Sequence, residues 1–199
     1  MTVSKPSRKQ ELPRKQELLN ELIAYLAKHG IADLSLRPMA AATGTSARLL
    51  IFHFGSKEKL LEEVLGEMQA RLQASFIAMA QAPRKGPLLR AFWDWALTEP
   101  NHAMLRLLYQ LHMLAVQSPK TYGGYLKGNS LDWLALIQEA LPKEQRDPKF
   151  ATLLGAVFDG LFIEYMSSGD RRRTTETLDS FIRMAQAHMG SLAVPRPRR

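Results

Sequence analysis

Apolar residues recur along almost the whole chain at three-and-four spacing, the period of a helix that buries one face. Leu18, Leu19, Leu22, Ile23 and Leu26 form the first such stripe. Pro13 fits its first turn, and Gly30 follows as a C-terminal cap. Ser35 is suited to cap a short second helix, with Pro38 still inside the first turn, and Gly44 ends it. Thr45 or Ser46 then caps a third short helix that runs to Phe54. Gly55 and Ser56 interrupt the pattern, and Ser56 opens a long fourth helix carrying Leu60, Leu61, Val64, Leu65, Met68, Leu72 and Phe76. Residues 83–87, with two prolines around Gly86, are the clearest break. Beyond it the spacing predicts helices over 88–98, 101–117, part of 121–141, 148–168 and 174–190. Pro100, Pro119, Gly123-Gly124, Pro142, Pro148 and Gly169-Asp170 mark their ends. No stretch of five or more residues alternates with period two, and no internal repeat is present. The pattern predicts an all-α chain of about nine helices: a three-helix N-terminal domain over 1–60, a larger helical domain over 61–195, and a tail over 196–199.

Composition narrows the function classes. The chain has 199 residues, 46% of them hydrophobic, enough for a substantial core. It has no cysteine, which removes disulfides, zinc fingers and thiol nucleophiles. The five histidines, His29, His53, His102, His112 and His188, include no pair at the spacing of a helical metal site, so neither a metal nor a cofactor is expected. No phosphate-cradling glycine loop and no nucleophile elbow occurs, which argues against an enzyme. No apolar run approaches the roughly 20 residues needed to cross a bilayer, and the first fourteen residues lack the apolar stretch of a secretion signal. A cytoplasmic protein with no membrane partner is the expectation.

The net charge of +8 is unevenly spread. Lys5, Arg8, Lys9, Arg14 and Lys15 face Glu11 alone in the first fifteen residues, and Arg196, Arg198 and Arg199 end the chain. The body between is nearly neutral, so a nucleic-acid site should be local and mostly N-terminal.

Residues 34–61 read LSLRPMAAATGTSARLLIFHFGSKEKLL. Two short helices are joined by a glycine-containing turn; Met39, Ala40 and Thr43 can face inward on the first, and Leu49, Leu50 and Phe54 on the second. The small residues Ala40, Ala41 and Ala42 allow a close crossing. This is what a helix-turn-helix needs, a bracing helix and a second whose N-terminal end meets the major groove. A helical adaptor that binds only protein would show the same hairpin.

The order of pieces in this segment resembles the DNA-binding domain of the TetR family of transcriptional regulators. They are Ala40-Ala41-Ala42-Thr43-Gly44, Thr45-Ser46-Ala47-Arg48-Leu49-Leu50, Ile51-Phe52-His53-Phe54 and Ser56-Lys57-Glu58-Lys59-Leu60. The resemblance implies double-stranded DNA as partner. Ser35, Arg37, Thr45 and Ser46 would meet phosphates; Ala47, Arg48 and Ile51 occupy positions that face base edges; Phe52, in the aromatic cluster closing the helix, counts among the DNA-binding residues; His53 and Lys57 hold the backbone. The family commonly has a small residue in place of Arg48 and a tyrosine in place of Ile51. Arg48 is therefore a candidate for guanine or for phosphate, and Ile51 for a thymine methyl or for packing.

The resemblance further implies a homodimer through the last two long helices, a palindromic operator, and repression relieved by a small-molecule effector through the fourth helix. Phe158 and Phe181 are apolar positions at which an inserted charge is expected to block such dimerisation. The middle helices offer a pocket wall in Trp93, Trp95, Met104, Tyr109, His112, Met113, Trp133, Phe158 and Phe162, a lining suited to a lipophilic or aromatic molecule. Aromatic and methionine side chains at this spacing equally suit a plain core.

Overall fold

Helix follows helix in the computed structural model, which describes residues 8–31, 35–83, 85–99 and 101–192. In chain order these are α1 (Arg8–His29), α2 (Leu36–Ala42), α3 (Ala47–Phe54), α4 (Lys57–Gln81), α5 (Leu88–Ala96), α6 (Asn101–Gln117), α7 (Pro119–Ala140), α8 (Pro148–Ser168) and α9 (Arg171–Leu192). A single 3-10 turn at Lys143–Gln145 precedes α8, and no strand occurs among the described residues. The all-α expectation holds. Helix α1 starts earlier than its apolar stripe, so Pro13 stands past the first turn, where its missing N–H leaves a gap in the backbone ladder.

The helices form two compact units that do not follow chain order. The first comprises Met1–Leu72 and Glu99–Gly128; the second comprises Gln73–Thr98 and Asn129–Arg199. Helices α4 and α7 thus each contribute residues to both. The core of the first unit is largely aliphatic: Leu18, Leu22 and Leu26 of α1, Met39 and Ala40 of α2, Leu50 and Phe54 of α3, and Leu60 to Met68 of α4. Leu107, Leu111 and Ala115 of α6 and Tyr122 of α7 complete it. Residues far along the chain therefore close the core that α1 to α4 begin. Tyr122 departs from helical geometry (φ −112°, ψ 15°) and kinks α7 just before Gly123-Gly124.

The second unit is built around rings. Phe92 meets Phe158 at 4.7 Å between centroids and Phe76 at 5.2 Å, and Trp93 meets Phe158 edge-on at 5.9 Å. Phe162 stacks on Phe158 at 5.9 Å, and Trp133 reaches Phe76 at 5.7 Å. Such offset and edge-to-face pairs add to what their buried area contributes. Trp93 Nε1–H donates to Thr175 Oγ1 at 2.9 Å, fixing α5 on α9. Beside it Arg90 donates to both Asp179 carboxylate oxygens, at 2.6 and 2.5 Å, and to Asp94, which together raise the arginine's pKa. Gly169, in the left-handed region (φ 69°), ends α8 with its N–H on Tyr165 O at 2.8 Å, and Asp170 Oδ1 accepts from Arg173 N at 2.9 Å to start α9.

Helix α8 corrects one expectation. Its 21 residues include an 18-residue window of mean hydropathy 1.3, long and apolar enough by length and composition to cross a membrane. Asp159 and Glu164 divide the stretch, which is why no uninterrupted run reveals it. The helix is instead packed on α5 and α9 through Ala151, Phe158 and Phe162. Its other side is open: Leu153 and Ile163 are 47% and 46% exposed, and Ala156 and Gly160 between them are exposed as well.

Candidate nucleic-acid interface

Local hydrogen bonds set the geometry of the α2–α3 hairpin. Thr43 is buried, and its hydroxyl folds back to donate to Met39 O at 3.0 Å, consuming polar capacity that would otherwise be stranded in the core. Thr45 N–H returns to Ala40 O at 2.9 Å across Gly44, whose φ of 58° is left-handed. Ser46 is extended (φ −113°, ψ 152°), and its Oγ accepts from Leu49 N at 3.2 Å, the N-cap bond of α3. Gly55 closes α3 with φ 84°, a conformation a side chain would strain. Ser56 then repeats the capping device, its Oγ accepting from Lys59 N at 3.2 Å. At the same helix start the Glu58 pKa is lowered, first by its own backbone N–H and then by Ser56 and Lys57.

These constraints orient α3. Leu50 and Phe54, one turn apart, are buried, and Ala47 packs at the edge of the same core. Arg48, Leu49 and Phe52 share the opposite side, Leu49 at 47% and Phe52 at 60% exposure. Ile51 and His53 are half-buried on the two flanks, and the His53 ring stands edge-on to Phe52 at 5.3 Å. Ser35 and Arg37 are exposed at the start of α2, Thr45 is half-buried, Ser46 is exposed, and Lys57 is half-buried at the head of α4. The ten residues singled out from sequence thus lie on one contiguous segment around α3, although they are not equivalent. Arg48 and Phe52 dominate its open face, whereas Ala47 and Ile51 lean toward the body.

Two placements differ from the sequence reading. Leu49 was expected to face inward and does not: Leu50 and Phe54 occupy the buried side, and Leu49 lies roughly 100° from Leu50 around the helix, on the far side from Phe54. That signal was available in the spacing of 50 and 54. The basic arm is also partly committed elsewhere. Lys15 pairs with Glu63 at 2.7 Å and lies over the Phe54 ring at 5.2 Å, and Arg14 pairs with Glu17 at 3.1 Å. Lys15 therefore ties α1 to α4, and Arg14 spends its charge on carboxylates of its own helix. Lys5, the side chains of Arg8 and Lys9, and the tail arginines Arg196, Arg198 and Arg199 lie outside the described residues.

The pocket candidates separate. Trp93, Trp95, Trp133, Phe158 and Phe162 belong to the second unit. There Trp93 and Phe162 are fully buried among other rings, while Trp95 stacks on Phe92 at 5.4 Å and, like Trp133, keeps partial exposure. Met104, Tyr109, His112 and Met113 lie on α6 in the first unit, with Met113 exposed and His112 edge-on to Tyr125 at 6.0 Å. Among the described residues no group of three or more His, Cys, Asp or Glu side chains could hold a metal.

A short bracing helix, a tight turn and a capped second helix with an open face define a helix-turn-helix protein. Residues 18–64 match the family model of the bacterial regulatory proteins of the tetR family. The chain is 25% identical over 167 residues to the HTH-type transcriptional regulator BetI of Brucella anthropi, covering 79% of this chain and 84% of that protein. Among solved structures it is similar in fold to the multidrug binding protein EbrR, at 24% identity and a TM-score of 0.64, covering 98% of this chain and 97% of EbrR. A member of the TetR family from Streptomyces coelicolor shares the fold at 24% identity and a TM-score of 0.62, covering 84% of this chain and 96% of that one. The curated relatives are named as transcriptional regulators.

Proposed function

We propose that the chain is a cytoplasmic, ligand-responsive repressor that binds a palindromic operator as a homodimer and is released by a small lipophilic or aromatic molecule. The observation that carries the reading is the open face of α3, with Arg48 and Phe52 presented beside a Ser46-capped helix start. In this reading residues 1–60 contact DNA, with Ser35, Arg37, Thr45, Ser46, His53 and Lys57 on the backbone and Arg48 on a base, flanked by Ala47, Ile51 and Phe52. Residues 61–195 bind the effector and dimerise.

The exposed apolar stripe of α8, Leu153, Ala156, Gly160 and Ile163, supports a dimer through α8 and α9. Its small residues allow close helix approach, and Met184 of α9 adds a side chain 65% exposed. A second copy would cover these positions. For the effector, Trp95, Trp133 and Phe158 offer aromatic surface in the second unit. EbrR, of similar fold, is a multidrug binding protein solved with ethidium and with proflavin, which fits a flat aromatic ligand. Such a molecule acts only through unequal affinity for two dimer states. Helices α4 and α7, shared by both units, are the continuous routes along which those states could differ.

The test is selection of a randomised duplex library on the purified protein at physiological salt. Enrichment of a palindrome is the expected result. Recovery of unpatterned DNA that modest salt releases would overturn the reading, because a helix-turn-helix used only as a scaffold needs no sequence.

A further inference from the structure

We infer that the base-reading face of α3 is largely apolar and selects thymine through its methyl group, with Phe52 as the principal reader and Leu49 beside it. This rests on the DNA-binding function proposed above and specifies what that site recognises.

Arg48, Leu49 and Phe52 are the exposed side chains of α3, set opposite the buried pair Leu50 and Phe54. Phe52 lies near the centre of that exposed side, one turn after Arg48, and at 60% is more exposed than Leu49 at 47%. The eight residues of α3, ARLLIFHF, include no Asn, Gln, Asp or Glu. The side chains that pair bidentately with adenine, or accept from cytosine, are therefore missing from this helix. Arg48 can serve guanine. Apart from the His53 imidazole on the flank, what remains is hydrocarbon, and the thymine C5-methyl is the one apolar group that base edges present in the major groove. The His53 ring stands edge-on to Phe52 at 5.3 Å, which places the phenyl group beside it on the open side. The buried side of the helix is already filled by Leu50 and Phe54, so the Phe52 ring takes no part in its core.

Uracil differs from thymine only by that methyl, which makes a direct experiment possible. Two randomised duplex libraries, one with thymine and one with uracil throughout, are selected on the full-length protein. From the thymine library a palindrome with thymine at fixed half-site positions is expected, and from the uracil library those positions lose their preference. Replacing thymine by uracil at one such position should weaken binding by about fourfold for each methyl removed, the worth of one buried methyl-sized group. In Phe52→Ala the same replacement should change nothing, with Leu49→Ala as the second variant. Both positions are exposed, so a thermal unfolding transition like that of the wild type confirms that the variants fold. Equal enrichment and equal affinity with thymine and uracil, or a methyl effect that survives in both variants, overturns the inference while leaving DNA binding intact. Failure of both libraries to yield a palindrome overturns the DNA-binding function itself, and the inference with it.

Discussion

Helices α3 and α8 both leave apolar side chains in water, yet they do so in different surroundings. Helix α3 is short, capped at each end by a serine or glycine device, and sets Leu49 and Phe52 next to the cation Arg48. Helix α8 is 21 residues long, and its open stripe runs from Leu153 through Ala156 and Gly160 to Ile163. An apolar patch mixed with a guanidinium suits a charged, grooved polymer with methyl groups on its floor. A smooth stripe with small residues suits another helix of the same kind. Exposure alone does not name a partner; the chemistry around it does.

The largest effect should come from emptying the aromatic core behind α8. Phe162→Ala should lower unfolding stability by about 3–5 kcal/mol, read in denaturant titrations, since Phe162 is fully buried and stacked on Phe158. For the same reason Phe158, buried among Phe92, Trp93 and Phe162, is a poor site for testing the dimer. A charge there would damage the fold before it reached any interface. The open stripe gives a cleaner break: Ile163→Glu should yield a folded monomer in sedimentation, and a variant that still sediments as a dimer would remove α8 from the interface.

On the α3 side, Arg48→Ala should alter sequence preference at one base pair per half-site by about 1–3 kcal/mol. Lys57→Ala should instead weaken binding to all sequences alike and flatten the salt dependence. If both variants lower all affinities together, Arg48 belongs on the phosphate backbone. A smaller change is expected for Ser46→Ala, which loses the acceptor for Leu49 N and should reduce stability by about 1 kcal/mol in thermal unfolding.

The subtlest effect lies away from both faces. The Tyr125 hydroxyl is buried without a hydrogen-bond partner among the described residues, and burial pushes its pKa up to about 12 from 10.0. The neutral phenol is thus favoured in the folded state. Its contribution is complete below pH 10 and is lost as pH rises toward 12, where the unfolded chain gains by ionising first. Ultraviolet titration should show a tyrosine ionising late, near pH 12. Tyr125→Phe should remove that late step and leave stability at neutral pH unchanged or raised by up to about 1 kcal/mol, since an unpaired polar atom is lost with the hydroxyl.

Much of this molecule is written locally. Periodicity, together with Ser46, Ser56, Gly30, Gly55 and Gly169, determined the helices and most of their ends, because capping and left-handed closure depend on residues within one turn. The helix-turn-helix was legible for the same reason: its turn, its caps and its buried pair Leu50 and Phe54 all fall within one short segment. Only the tertiary structure decided which side chains those helices bury. It turned Leu49 outward, drew Lys15 onto Glu63 and Phe54, and brought Leu107 and Leu111 of α6 into the core begun by α1. It also gathered Trp93, Phe158 and Phe162 into one cluster while leaving Leu153 and Ile163, on the other side of α8, uncovered. Local propensity acts over a few residues and reports a period, whereas burial is settled by what packs from elsewhere in the chain. A helix as apolar as α8 has more than one face fit to be buried, and its neighbours α5 and α9 determine which face is left for a partner.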